Sequence, residues 1–170
     1  MKTLLLLRHA KSSWDDPGLR DFDRPLAPRG RKAAPLVARH MEEKGYVPQV
    51  VLSSASRRTR ETWALVESVL GGDPEVRFER SLYHGDARGL LMEIHVQTNG
   101  VDRLLMLGHN PGIGDLAVYL AGTGDEEAID QMSRKFPTGA LAVLEYPGER
   151  WAGLTRGSCR LVEFVRPREL

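Results

Sequence analysis

Only one cysteine, Cys159, occurs in the 170 residues. No intrachain disulfide can form, and the thiol has no cysteine partner for a structural zinc site. Such usage fits a reducing cytoplasm. Long apolar runs are also missing. The stretch Leu4 to Leu7 is interrupted by Arg8-His9 after four residues, too short for the apolar centre of a signal peptide and far from the roughly 20 residues of a membrane span. A mean hydropathy of -0.34 agrees with a soluble chain, and no membrane partner is expected. Neither sign of charge dominates, with 24 Lys+Arg against 23 Asp+Glu, and aromatics make up 6% of the residues. Both features argue against a general nucleic-acid binder. Ligand sets such as H-E-x-x-H are absent, as are G-x-x-x-x-G-K-[ST] and G-x-G-x-x-G after a strand. A catalytic metal, a cofactor and nucleotide binding of those types are therefore not expected.

A chain of this length suits one sizeable core, so residues 1–170 are expected to form a single domain. Strand-like and helix-like segments alternate, the pattern of a parallel sheet covered by helices. Strands are expected at Leu4 to Leu7, Gln49 to Ser53, Val76 to Glu79 and Arg103 to Leu107. Helices are expected at Arg29 to Lys44, Ser56 to Leu70, from an Asp86 N-cap to Gln97, from Pro111-Gly112 onward, and at Asp125 to Arg134. Trp63, Val66 and Leu70, spaced i, i+3, i+7, mark the core side of one of these. Residues 12–28 mix Ser, Asp, Pro, Gly and Arg without periodicity and read as a long loop, a kind that is commonly functional. Ala140 to Tyr146 and Cys159 to Val165 look like late strands joined through Pro147-Gly148. The expected fold is α/β: three layers, α/β/α, with a mainly parallel central sheet and an antiparallel edge.

Two histidines stand directly after apolar runs. His9 follows Leu4 to Leu7 with Arg8 between, and His109 follows Leu104 to Met106 within Leu107-Gly108-His109-Asn110-Pro111. Open α/β sheets bind ligands beyond the carboxyl ends of such strands. A neutral imidazole can attack phosphorus near neutral pH, and the phosphoryl group's charge then calls for cationic donors. Arg8 supplies one. A second arginine is available in Ser53-Ser54-Ala55-Ser56-Arg57-Arg58-Thr59-Arg60-Glu61-Thr62, where a strand gives way to a helix. Arginine's planar fork pairs bidentately with phosphate oxygens, and N–H groups at a helix start add to anion binding. Arginine near the positive end of a helix dipole is itself unfavourable, which favours an anionic partner for at least one of the three.

These segments together resemble the histidine phosphatase superfamily, of phosphoglycerate-mutase-like fold, and within it the small SixA-type phosphohistidine phosphatases. The resemblance covers most of the chain. It rests on Arg8-His9-Ala10-Lys11-Ser12, on Asp23-Arg24-Pro25-Leu26 with Gly30 four residues on, and on Ser54-x-x-x-Arg58 followed by Thr62. Gly108-His109-Asn110-Pro111 and Phe136-Pro137-Thr138-Gly139-Ala140 complete it. It implies that His9 is the nucleophile that becomes transiently phosphorylated. Arg8, Arg58 and His109 would surround the phosphoryl group, with His109 protonated or hydrogen-bonded to one of its oxygens. Lys11, Ser54, Asn110 and His84 are the candidate substrate-binding residues. Larger members insert a segment carrying an acidic proton donor, and this chain is too short for it. The corresponding stretch reads Ser81-Leu82-Tyr83-His84-Gly85-Asp86, leaving His84 and Asp86 as candidate donors. A phosphoramidate substrate rationalises the absence, because a leaving imidazole needs less help than an alkoxide.

Each feature also has a structural reading. Arg8-His9 alone is most often a satisfied structural pair, Arg57, Arg58 and Arg60 a solvated helix start, and Gly108 to Gly112 a plain strand-to-helix turn. His40 and His95 read as surface or satisfied histidines, Arg20 and Arg24 in the long loop as solvated charges or substrate selectors, and Cys159 as buried filler. The function expected is a cofactor-independent phosphatase acting on a phosphorylated protein or a small phosphorylated substrate. The alternative is a non-catalytic phosphate-recognising regulatory module.

Overall fold

The computed structural model describes all 170 residues. Its first strand, β1 (Lys2–Arg8), explains why the early run is apolar at every position. Leu4 and Leu6 pack into one hydrophobic cluster and Leu5 and Leu7 into another, so β1 is buried on both faces, as a central strand of a helix-covered sheet must be. Alternate residues of β4 (Arg103–Gly108) divide in the same way, with Leu104 and Met106 in the first cluster and Leu105 and Leu107 in the second. Two cores on opposite faces of one sheet make the three layers.

Helix α1 (Pro28–Lys44) has a proline in its first turn, where the missing N–H costs nothing. It ends at Gly45, whose φ of 75° permits the left-handed cap. Strand β2 (Val50–Ser54) leads into α2 (Arg57–Glu67), capped by the Ser56 side chain accepting from the Thr59 N–H. Next come β3 (Glu75–Glu79) and α3 (Ala87–His95), whose N-cap is Asp86. After β4 the chain forms α4 (Gly112–Leu120), β5 (Ala121–Gly124), α5 (Glu126–Arg134), β6 (Leu141–Tyr146) and β7 (Cys159–Val165). The seven strands form one mixed sheet in the order β3-β2-β4-β1-β6-β7-β5.

Strands β3, β2, β4 and β1 are parallel neighbours, while β6 runs antiparallel to both β1 and β7. The late strands pair antiparallel as expected, but their pair lies inward of the sheet edge. The edge is β5, parallel to β7, which the sequence reading does not contain. The connection between β6 and β7 is longer than a Pro147-Gly148 turn, because Trp151 is fully buried in a short 3-10 turn and donates its indole N–H to the Val101 carbonyl at 2.7 Å.

Candidate active site

The register of β1 on β4 builds the centre of the site. Arg8 lies opposite Gly108, so His9 and His109 leave adjacent parallel strands side by side. The His9 backbone N–H donates to the Gly108 carbonyl at 3.1 Å, and the two rings stand 5.2 Å apart between centroids. Strand β2 flanks β4 and brings the start of α2, with Arg58, to the same end of the sheet.

Hydrogen bonds set the tautomer of each ring. His9 Nδ1 lies 2.7 Å from the Ala10 carbonyl, and a carbonyl only accepts, so the proton sits on Nδ1 and the lone pair on Nε2. Arg58 Nη2 donates to His109 Nδ1 at 3.3 Å. His109 therefore carries its proton on Nε2, which donates to the Ser54 hydroxyl at 2.8 Å. Burial pushes His9 down to about 3, with His109, Arg58 and Arg8 adding to the effect against the Ala10 hydrogen bond. Burial, followed by the Arg58 charge, pushes His109 to about 3 as well. Without an anion in the cavity, both rings are thus held toward the neutral form near pH 7.

The arginines are held from behind. Arg58 donates to the Asp21 carbonyl at 2.7 Å and to its carboxylate at 3.0 Å. Arg24 donates to the same carboxylate at 2.9 Å and to the Ser12 hydroxyl at 2.6 Å, and its guanidinium stacks on Trp14 at 3.2 Å. Tyr83 also donates to Asp21. Burial alone would raise the Asp21 carboxyl, yet hydrogen bonds from Tyr83, Arg24 and Arg58 hold it well below the usual carboxylate range. Arg8 donates through Nη1 to the Phe136 carbonyl at 3.0 Å, and its Nε is buried without a partner. Burial and the Arg58 charge lower its pKa.

A cavity of about 220 Å3 collects Arg8, His9, Lys11, Arg58, His109 and Asn110, together with Ser12, Trp14, Arg24 and Thr138. Its lining includes no carboxylate. Ser54 is fully buried behind His109 and does not line the cavity, and His84 is exposed outside it, stacked on Tyr83 at 4.1 Å. Asn110 is fixed by donating to the Phe136 carbonyl at 2.8 Å. His40 and His95 lie elsewhere, bonded to Glu163 and to the Leu154 carbonyl, both at 2.8 Å. The residues sequence reasoning missed are Trp14, which lines the cavity beneath Arg24, and Asp21 and Tyr83 behind the arginines, all of which reach the site only through the fold. No three His, Cys, Asp or Glu side chains cluster so as to hold a metal ion.

The model of the histidine phosphatase superfamily (branch 1) matches residues 4–101, over half of the chain. The chain belongs to this superfamily. This histidine phosphatase, a hydrolase, is 37% identical over 164 residues to the uncharacterized protein Rv1276c of Mycobacterium tuberculosis, covering 95% of this chain and 100% of that one. Its fold is similar to that of a protein assigned as phosphohistidine phosphatase SixA from Agrobacterium tumefaciens, with a TM-score of 0.83, 30% identity and 98% of each chain covered. A second protein so assigned, from Nakamurella multipartitia, gives a TM-score of 0.82 at 30% identity, covering 98% of this chain and 96% of that one. The phosphoglycerate-mutase-like α/β fold is therefore shared, and no helix is long and apolar enough to cross a membrane.

Proposed function

We propose that this phosphatase acts as a single-domain cytoplasmic enzyme through a phosphohistidine intermediate at His9, on phosphohistidine in a protein or on another phosphoramidate or phosphomonoester. The observation that carries this reading is the anchored tautomer of His9. With Nδ1–H bonded to the Ala10 carbonyl, the Nε2 lone pair is the free nucleophile, in a cavity whose Arg8 and Arg58 offset the charge of a phosphoryl group.

In the first step Nε2 bonds to phosphorus as the bond from phosphorus to the leaving nitrogen or oxygen breaks, and the leaving atom takes the electron pair. In the second, water attacks phosphorus, the P–Nε2 bond breaks and the ring recovers its lone pair. Phosphate leaves with the oxygen and protons of the water. The lining supports a phosphoramidate substrate. It contains no carboxylate, and Asp21, which pairs with the lining arginines Arg24 and Arg58, is held ionised by them and by Tyr83. An alkoxide would have to wait for a proton donor, whereas an imidazole already protonated on its other nitrogen departs neutral.

The test is phosphate release from p-nitrophenyl phosphate and from a phosphohistidine-bearing protein, under chelator, with wild type and His9→Ala. Release that depends on His9 and favours the phosphohistidine protein is expected. Undiminished release from His9→Ala removes the mechanism, and phosphate binding without release from either substrate points to a recognition module instead.

A further inference from the structure

A second concavity, about 580 Å3, opens from the phosphoryl cavity and shares Arg8, Lys11 and Thr138 with it. Helix α1 contributes Arg29 and Lys32 to its wall, the segment before β6 contributes Lys135, and the chain beyond β7 contributes Arg166 and Arg168. With Arg8 and Lys11 this makes a groove of seven basic side chains and no acidic one. Of the seven, only Arg166 pairs with a carboxylate, that of Glu169. In a chain of net charge +1, so many unpaired cations on one face is a marked polarisation, and their mutual repulsion opposes folding unless something anionic covers them.

We propose that this groove docks an acidic segment of the protein substrate, so that carboxylates flanking the phosphorylated residue lie along Arg29, Lys32, Lys135 and Arg168 while the phosphoryl group enters the cavity at His9. The inference rests on the phosphatase reading above and adds the partner's chemistry to it. A pocket for a small molecule is mostly apolar with a few polar groups. This groove sets seven cations among Ala33, Leu36, Pro137 and Pro167, and its cations come from four separate parts of the chain, more charge than one small anion balances. Complementary charge of this kind speeds encounter and sets orientation, and it weakens with salt.

The test uses two peptides of equal length bearing phosphohistidine, one with Asp and Glu around it and one with Asn and Gln in their places. Fluorescently labelled, unphosphorylated versions of both serve for direct binding. Wild type is expected to turn over the acidic peptide at least tenfold better in kcat/KM, mostly through KM. The preference should shrink from 20 to 150 mM salt and collapse in R29S/K32S/R168S, which still hydrolyses the neutral peptide within about twofold of wild type. Equal kcat/KM on both peptides, with His9-dependent release from each, overturns the groove and leaves the mechanism standing. If no peptide is hydrolysed, the mechanism falls, and the anisotropy measurement decides the groove alone: tighter binding of the acidic peptide, lost in R29S/K32S/R168S, supports it. Equal binding of the two, or tighter competition by tripolyphosphate or an oligonucleotide than by the acidic peptide, overturns it.

Discussion

Arg57 and Arg58 are neighbours in sequence and opposites in environment. Arg57 is exposed and pairs with Glu61 one turn on at 3.0 Å, an arrangement worth at most a few tenths of a kcal/mol. Arg58 is buried, lines the phosphoryl cavity and donates to Asp21 and His109. Arg58→Ala is therefore expected to lower kcat/KM for p-nitrophenyl phosphate by about 100- to 1000-fold, the loss typical of one preorganised donor to a developing charge. Arg57→Ala should stay within about twofold, and the reverse ranking would show that the wrong arginine has been assigned. The rings allow a second measurement. Because burial and nearby cations push His9 and His109 to about 3, both should remain neutral from pH 8 down to about 4. Their Cε1–H signals, assigned by comparison with His9→Ala and His109→Ala, should hold steady in an NMR titration, where an exposed imidazole would change near 6.5. A midpoint near 6.5 for either ring would refute that environment. At this scale the sequence was informative about residues that touch strand ends and silent about those behind them. Asp21 lies 37 residues before Arg58, and Tyr83 62 residues after Asp21, in segments with no periodicity to read. The helix-start arginines find anionic partners within the chain, Arg57 in Glu61 and Arg58 in Asp21.

Elements reach the site through close backbone approaches that side chains would block. Gly30, near the start of α1, is such a point, since a Cβ there would lie 2.2 Å from the Lys11 carbonyl. That carbonyl belongs to the segment immediately after His9 and accepts the Ala27 N–H at 2.9 Å. Gly30→Ala must push α1 away from the nucleophile's own loop. It should cost about 2 kcal/mol by overpacking, a fall of roughly 4–8 °C in Tm for a chain of this size, with reduced turnover. Gly100→Ala meets nothing within 4 Å and is the control; equal melting of the two variants would show that the contact carries no strain. Central strands were legible because burial on both faces demands uninterrupted apolar runs, and α1 to α3 because their caps and core spacing agree with one another. Strand β5 was not legible. Ala121–Gly124 has no large apolar side chain and three exposed residues, and it pairs because the chain is delivered to the β7 edge rather than by its own composition.

Across the molecule, the site concentrates charge that folding alone does not balance. Arg8, Arg24, Arg58 and Lys11 line one cavity of about 220 Å3, while Asp21 is the one carboxylate that pairs with any of them. The two cores on either side of the sheet hold this arrangement together at the strand ends. An oxyanion that binds the folded chain and not the unfolded one must then stabilise the whole fold. At vanadate 100-fold above its Kd the gain is about 2.7 kcal/mol, or roughly 5–10 °C in Tm for a chain of this size. His9→Ala keeps every cation of the cavity and removes only the nucleophile, so it should retain the part of the gain that comes from charge pairing. Arg8→Ala/Arg58→Ala should lose nearly all of it. Thermal melts with and without vanadate, in the presence of chelator, measure the difference. No shift in wild type, or an equal shift in the double arginine variant, would mean that the cations of this cavity do not bind the anion.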